Sequence, residues 1–293
     1  MNITELYYYY TEVYRSDRTE YTKKCADYYF ERYVAPYIGS QDISKITPSE
    51  LQMVLNKLKG KSKTAISIIY GDLMLIMRRA YIDGYLKRDP SGSVIKPKAK
   101  PTEIRRALTR SEREAVISAA QTRDEYMAFL FMILCGARPS EAYAIRKEDI
   151  DFEEGTVHIK GTKTACSDRV VPCPSVILTR AEKSLYGFIT TSKKGSMVTK
   201  EGQRGIWRRF VKDCDRIMNG CFGKDLTAYN LRHEYCTELA RRGVDIRITQ
   251  KLMGHSSPEM TLKVYTNLSS DDINTDDLKR IINNSAWGSL QDV

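Results

Sequence analysis

The chain lacks any pairing among its cysteines. There are 7, an odd number, and none sits in a CxxC or CxxH spacing. That argues against a disulfide framework and a structural zinc site. They read as reduced cysteines, some buried, in a cytoplasmic protein. Long apolar runs are missing too: no stretch approaches the roughly 18 residues of a membrane span. The start, MNITELYYYYTEVYRSDRTE, has no basic-then-apolar pattern of a secretory signal. No carboxylate-rich constellation suggests a metal, so none is expected. Histidine is scarce, with 3 in the chain.

Positive charge is abundant. The 293 residues carry a net charge of +10, and 42% are hydrophobic. The length suits two domains with real cores, and the charge favours an anionic partner. Up to residue 100 there are 17 lysines and arginines against 11 carboxylates, and after it 30 against 26. Both parts are therefore basic, which suits a clamp on DNA better than a basic tail on a neutral enzyme.

Residues 1 to about 90 read as all-helical. The tyrosines at 7–10 and 28–37 read chiefly as amphipathic core packing, with base stacking the alternative. Thr47-Pro48-Ser49-Glu50 makes a capping box with proline in the first turn. A further helix spans about Ser62 to Tyr85, with Ile69, Leu73, Ile76 and Ala80 on one face. From 93 to 108 the chain reads as an extended basic linker holding Lys96, Lys98, Lys100, Arg105 and Arg106. It is either a solvated hinge or a segment lying on a DNA backbone.

Thr109 to Glu112 is a second capping box, opening a domain that runs to about 270. The apolar run from Glu125 to Cys135 reads as a buried helix, stopped by Gly136 and restarted at Pro139. Arg138 sits at that junction and needs an anion, unless it pairs with Glu141. Asp151–Glu153, Thr156–Lys160 and Arg169–Pro172 read as three short strands. Lys163 lies on the hairpin tip between the last two, where a lysine is often simply solvated. His158 reads as packing or surface. The lysines and arginines from 193 to 212 are candidates for backbone contacts.

The stretch from 225 to 267 organises the rest. It holds Tyr229 and Arg232 three apart on one helical face, His255 just past the helix-ending Gly254, and Tyr265 ten residues later. An arginine to hold phosphate oxygens, a histidine to donate a hydrogen bond and a tyrosine oxygen as nucleophile make a kit for attacking a phosphodiester. The tail from 271 to 293 is acidic, then weakly helical.

These pieces resemble the tyrosine recombinases, the family of phage and transposon integrases and their Xer relatives. The resemblance rests on Gly136-Ala137-Arg138-Pro139-Ser140-Glu141, Thr162-Lys163-Thr164, Leu231-Arg232-His233 and Leu252-Met253-Gly254-His255 with Tyr265, in that order. The N-terminal part is similar to a core-type DNA-binding domain. The implied fold is mostly α with a small antiparallel β-sheet: a helical domain at 1–92 and a mixed α/β catalytic domain at 109–270. The tail from 271 would reach a neighbouring protomer. The implied catalytic set is Arg138, Lys163, Tyr229, Arg232, His255 and the nucleophile Tyr265. Tyr229 departs from the pattern, which usually has histidine or lysine there; tyrosine can donate a hydrogen bond but cannot shuttle protons near pH 7.

The resemblance implies cutting and rejoining of DNA through a 3′-phosphotyrosyl link, without cofactor or metal. The partners would be double-stranded DNA at specific recombination sites, a homotetramer on that DNA, and an accessory bending or excision factor. The setting would be a bacterial nucleoid and a mobile element. Two alternatives remain: a type IB topoisomerase-like activity and a catalytically silent DNA-binding relative. No arm-binding domain precedes the helical part, so either the protein lacks one or the chain is a piece of a longer protein.

Overall fold

A computed structural model describes residues 1–101, 106–161, 165–185, 187–191 and 195–266. The chain divides into two compact units, Met1–Ile104 and Arg105–Val293.

The first unit is built on helices α1 (Ile3–Tyr14), α2 (Glu20–Tyr33), α3 (Pro48–Asn56) and α4 (Lys63–Ile82). Each begins on a short polar side chain, Asn2, Thr19, Thr47 or Ser62, that accepts from a first-turn backbone N–H. Glu50 returns the favour to Thr47, completing the box. The tyrosine run in α1 is sorted by helical periodicity. Tyr7 and Tyr10 are buried, while Tyr8 and Tyr9 are exposed. Tyr7 stacks on Phe30 with ring centroids 3.8 Å apart and donates to Asp27 at 2.9 Å. Packing therefore accounts for Tyr7 and Tyr10; Tyr28 and Tyr37 are exposed. Along α4 the face Ile66, Ile69, Leu73, Ile76 and Ala80 is buried, each large aliphatic contributing about 1.5–3 kcal/mol.

The basic stretch after α4 differs from a free tether. Gln52 brackets Ile95, accepting from its N–H at 2.7 Å and donating to its carbonyl at 3.2 Å. Lys100 donates its backbone N–H to the Lys61 carbonyl at 3.0 Å. Residues 93–101 are thus held along the first unit, with Val94 buried. Lys96, Lys98 and Lys100 are exposed there. Lys96 also donates to Ser67 at 3.2 Å. Arg105 lies outside the described residues.

In the second unit come α5 (Arg110–Ala120), α6 (Met127–Cys135), α7 (Pro139–Ala142), β1 (Ile150–Asp151), β2 (Thr156–Ile159) and β3 (Arg169–Pro172). Then follow α8 (Ser175–Glu182), α9 (Lys200–Ile217), α10 (Ala228–Arg241), α11 (Ile246–Met253) and α12 (Pro258–Thr266). Helix α6 is the core of this unit: Phe129, Leu130, Phe131 and Met132 are all buried. Helix α10 packs along it. The strands form an antiparallel sheet in the order β1-β2-β3, with Val157 opposite Val171. Val157, Ile159, Arg169 and Val171 face inward.

The first strand is shorter than expected. Glu153, and Glu154 after it, turn instead, because the Asp151 carboxylate accepts from both their N–H groups at 3.0 and 2.9 Å. That local turn outcompetes the ladder, and Gly155 closes it at φ +64°. No described helix is long and apolar enough to cross a membrane.

Candidate active site

Two glycines that end helices frame the site. Gly136 stops α6 at φ +66° and Gly254 stops α11 at φ +61°. Both are close-packed. A Cβ on Gly136 would lie 2.4 Å from the Tyr235 ring, and one on Gly254 would lie 2.7 Å from the Cys166 carbonyl. A helix ends in carbonyls without intrahelical partners, and its C-terminal pole is partly negative. Here those carbonyls collect arginines.

Arg232, on α10, is 5% exposed. Its guanidinium donates to the carbonyls of Gly136 and Met253 in two short contacts. Arg138 caps the N-terminus of α7. It donates to Glu141 at 2.6 Å and to the Gly254 carbonyl at 2.9 Å. Arg169, on β3, donates to Leu252 O at 2.7 Å, Ser167 O at 2.8 Å, Gly136 O at 3.1 Å and Glu141 at 3.1 Å. The expected alternative for Arg138, a pair with Glu141, is therefore present, but it is part of a larger cluster. Three guanidiniums share one carboxylate.

That imbalance shows in the titration of the groups. Burial pushes the Arg232 guanidinium down to about 9, with repulsion from Arg138 and Arg169 adding to it. Burial pushes Glu141 up, but the Arg138 N–H and the neighbouring guanidiniums outweigh it and hold the carboxylate below its usual value. A buried surplus of cations is costly unless an anion completes it. Arg138 is the most open of the three, its side chain 24% exposed against 5% and 6% for Arg169 and Arg232.

His255 follows Gly254 and is 7% exposed. Its Nδ1 lies 2.9 Å from the Thr261 hydroxyl, and its N–H donates to the Gln250 carbonyl at 3.2 Å. Burial, then the charges of Arg232, Arg138 and Arg169, push its imidazole down to about 4. It is neutral at pH 7. Thr261 engages Nδ1, so Nε2 is the ring nitrogen left to face a ligand.

Tyr265, on α12, is half-buried with its hydroxyl committed. The phenol donates to the Val244 carbonyl in a short contact and lies 2.6 Å from the Thr249 hydroxyl, which is left to donate to it. Its hydroxyl is bonded to neither Arg138, Arg232 nor His255. Burial raises its pKa while the Thr249 bond opposes the rise.

The other expected residues are placed differently. Tyr229 stands one turn before Arg232 on α10 but is 46% exposed. Lys163 lies outside the described residues. His158 is half-exposed, its Nε2 2.6 Å from Asp168. Arg106, expected in the DNA-binding set, is ion-paired within the protein. Its guanidinium is engaged by Glu112 at 2.7 Å and Asp225 at 2.8 Å. Glu112 is 3% exposed and needs that cation, so Arg106 fastens the start of α5 to the loop before α10.

Residues 99–271, more than half of the chain, match the model of the phage integrase family. The chain belongs to that family, one of site-specific tyrosine recombinases. Residues 2–59 of this integrase match the phage integrase N-terminal SAM-like domain. It is 28% identical over 255 residues to tyrosine recombinase XerA of Thermococcus onnurineus, covering 84% of each chain. With XerA of Pyrococcus furiosus it shares 30% over 227 residues, 74% of each. Its fold is similar to that of the Tn1549 transposon integrase in complex with circular intermediate DNA, at a TM-score of 0.72 and 21% identity, over 93% of this chain and 97% of that one. A lambda integrase dimer bound to a core site gives 0.69 at 18%, over 90% and 95%.

Three residues of this integrase site were not anticipated: Arg169, Thr249 and Thr261. Arg169 had a latent signal. It shares the inward phase of β3 with Val171, and a charge at an inward strand position must be paired. The sequence Arg-Val-Val-Pro does not say which phase is inward, so the signal was ambiguous. The two threonines show nothing until α11 and α12 are packed together.

Proposed function

We propose that this integrase cuts and rejoins double-stranded DNA at specific sites, with Tyr265 as nucleophile. The observation that carries the reading is the cluster of Arg138, Arg169 and Arg232 around one carboxylate, beside a neutral His255. A phosphodiester is the anion that fits it. Arg138, the most exposed of the three, and Arg232 would brace the non-bridging oxygens, whose charge grows in the transition state. The carbonyls of Gly136, Met253 and Gly254 hold both side chains ready for that task. His255 would donate from Nε2 to a phosphate oxygen.

Tyr265 leaves its seat on Val244 and Thr249, and its oxygen bonds to phosphorus as its proton passes to water, which offsets the proton given to the leaving oxygen. The 5′-oxygen leaves and takes a proton from Lys163. The product is a 3′-phosphotyrosyl link and a free 5′-hydroxyl, so no net proton is consumed. Attack by a 5′-hydroxyl reverses the step and rejoins the strand. The protein would act as a homotetramer on paired sites of a mobile element, with an accessory bending or excision factor setting direction. Tyr229, at the edge of α10, would contribute a hydrogen bond at most.

Covalent trapping tests the reading. The protein is incubated with nicked duplexes carrying the flanks of its element, in chelator, and run on a denaturing gel beside Tyr265→Phe. A retarded band that is absent in the variant is expected. Specific binding without a band would replace this reading with a silent DNA-binding protein.

A further inference from the structure

We infer that Arg169 is a positioning residue for strand cleavage: it sets the relative placement of the segments that carry Arg138, Arg232's carbonyl acceptors and His255. The inference rests on the cleavage reading above.

Arg169 has four bonds to four groups. Two go to the helix-ending turns, at Gly136 O and Leu252 O; one goes to the β2–β3 connection at Ser167 O; one goes to Glu141. Gly136 O is shared with Arg232, and Glu141 is shared with Arg138. Arg169 therefore touches an acceptor of each candidate phosphate ligand, and its own donors are spent on four groups of the protein, Leu252 O, Ser167 O, Gly136 O and Glu141. Its side chain also packs beneath Gly254, where an added Cβ would lie 3.1 Å from its guanidinium nitrogen. His255 is the next residue.

An apolar side chain at this place would avoid the desolvation of a charge but leave three carbonyls and Glu141 without this donor. The guanidinium offers what an apolar residue cannot. Its planar fork carries five donors at fixed angles, so three carbonyls and a carboxylate are held at one set of distances. Lysine would keep the charge but lose the fork. Misplacing a reacting group by about 1 Å can cost on the order of 100-fold in rate, so loss of the fork would be felt in the chemical step more than in DNA binding.

The test compares wild type, Arg169→Lys and Arg169→Met for covalent-adduct rate at saturating nicked DNA, for DNA affinity and for melting temperature. Arg169→Met is expected to lose about 100-fold in adduct rate. Arg169→Lys is expected to lose on the order of 10-fold, with DNA affinity held within about threefold, since the Coulombic attraction remains. If Arg169→Met does not fold, Arg169→Lys carries the test. Wild-type rates in Arg169→Lys, or losses that track affinity or folded fraction alone, overturn the positioning role. A wild-type protein that forms no adduct overturns the cleavage reading itself, and this inference with it.

Discussion

His255 is a base whose proton affinity is lowered by its surroundings. The neutral ring is buried beside three guanidiniums, and its folded pKa is about 4 against an ordinary 6.5. Between those values the unfolded chain binds the proton and the folded chain does not. Stability therefore falls as pH drops from about 6.5 towards 4 and is flat above, by on the order of 2–3 kcal/mol from this group. His255→Gln should remove that component, which denaturant titrations at pH 7 and pH 5 will measure; an unchanged acid-side slope would rule the assignment out. Gly254 beside it is equally constrained. At φ +61° with the Cys166 carbonyl 2.7 Å from a would-be Cβ, Gly254→Ala should lower stability by about 2–3 kcal/mol. The residues most legible in the sequence were those punctuated by such glycines: Arg138 after Gly136 and His255 after Gly254. A stop signal fixes where a chain turns, and a polar side chain just past it stands at a junction. Arg169, in mid-strand with no punctuation, had no comparable mark.

At the scale of elements, helix starts were readable because a cap is a local contract between residues three apart. Thr47 with Glu50 and Thr109 with Glu112 both close their boxes. Sheet edges were less readable, because Asp151 offers its own side chain to the two N–H groups the ladder would have used. The packing of α11 on α12 was not readable, since it rests on tertiary contacts: Met253 and Val264 share a buried cluster with Cys236, and a hydrogen bond joins Thr249 to Tyr265. Thr249 holds the Tyr265 hydroxyl at 2.6 Å. Thr249→Val keeps the shape and removes the donor, weakening the seat by about 1 kcal/mol. If Tyr265 must leave that seat to react, adduct formation should rise by roughly fivefold. A slower or unchanged rate in single-turnover trapping would mean the seat is not on the path. Arg106 makes a contrasting case at the start of α5. Its ties to Glu112 and Asp225 are structural, so Arg106→Gln should lower stability by about 1–3 kcal/mol and leave DNA affinity within about twofold, as melting and mobility-shift assays will show.

Across the whole molecule, a net charge of +10 favours an anionic partner without saying where it would bind. The fold separates committed cations from available ones. On α9, Ile206, Phe210 and Cys214 are buried, which leaves Arg204, Arg208 and Lys212 exposed on the opposite side. They are four residues apart, about 6 Å along the axis each. Arg209 lies on the same helix but is paired with Glu125 at 2.9 Å. Cations that meet phosphates release counterions, and each contact steepens the dependence of log affinity on log salt by about 0.9. Replacing Arg204 and Arg208 together by glutamine should therefore lower that slope by about 1.8, with affinity falling for every DNA sequence alike. Arg209→Gln should leave the slope within about 0.3, because its charge is already answered within the protein. The two variants carry the same chemical change on the same helix, so a bulk effect of net charge predicts a shift in proportion to charges removed. A contact stripe predicts nearly all of it in the Arg204 and Arg208 pair, and titrations at four or five salt concentrations separate the two.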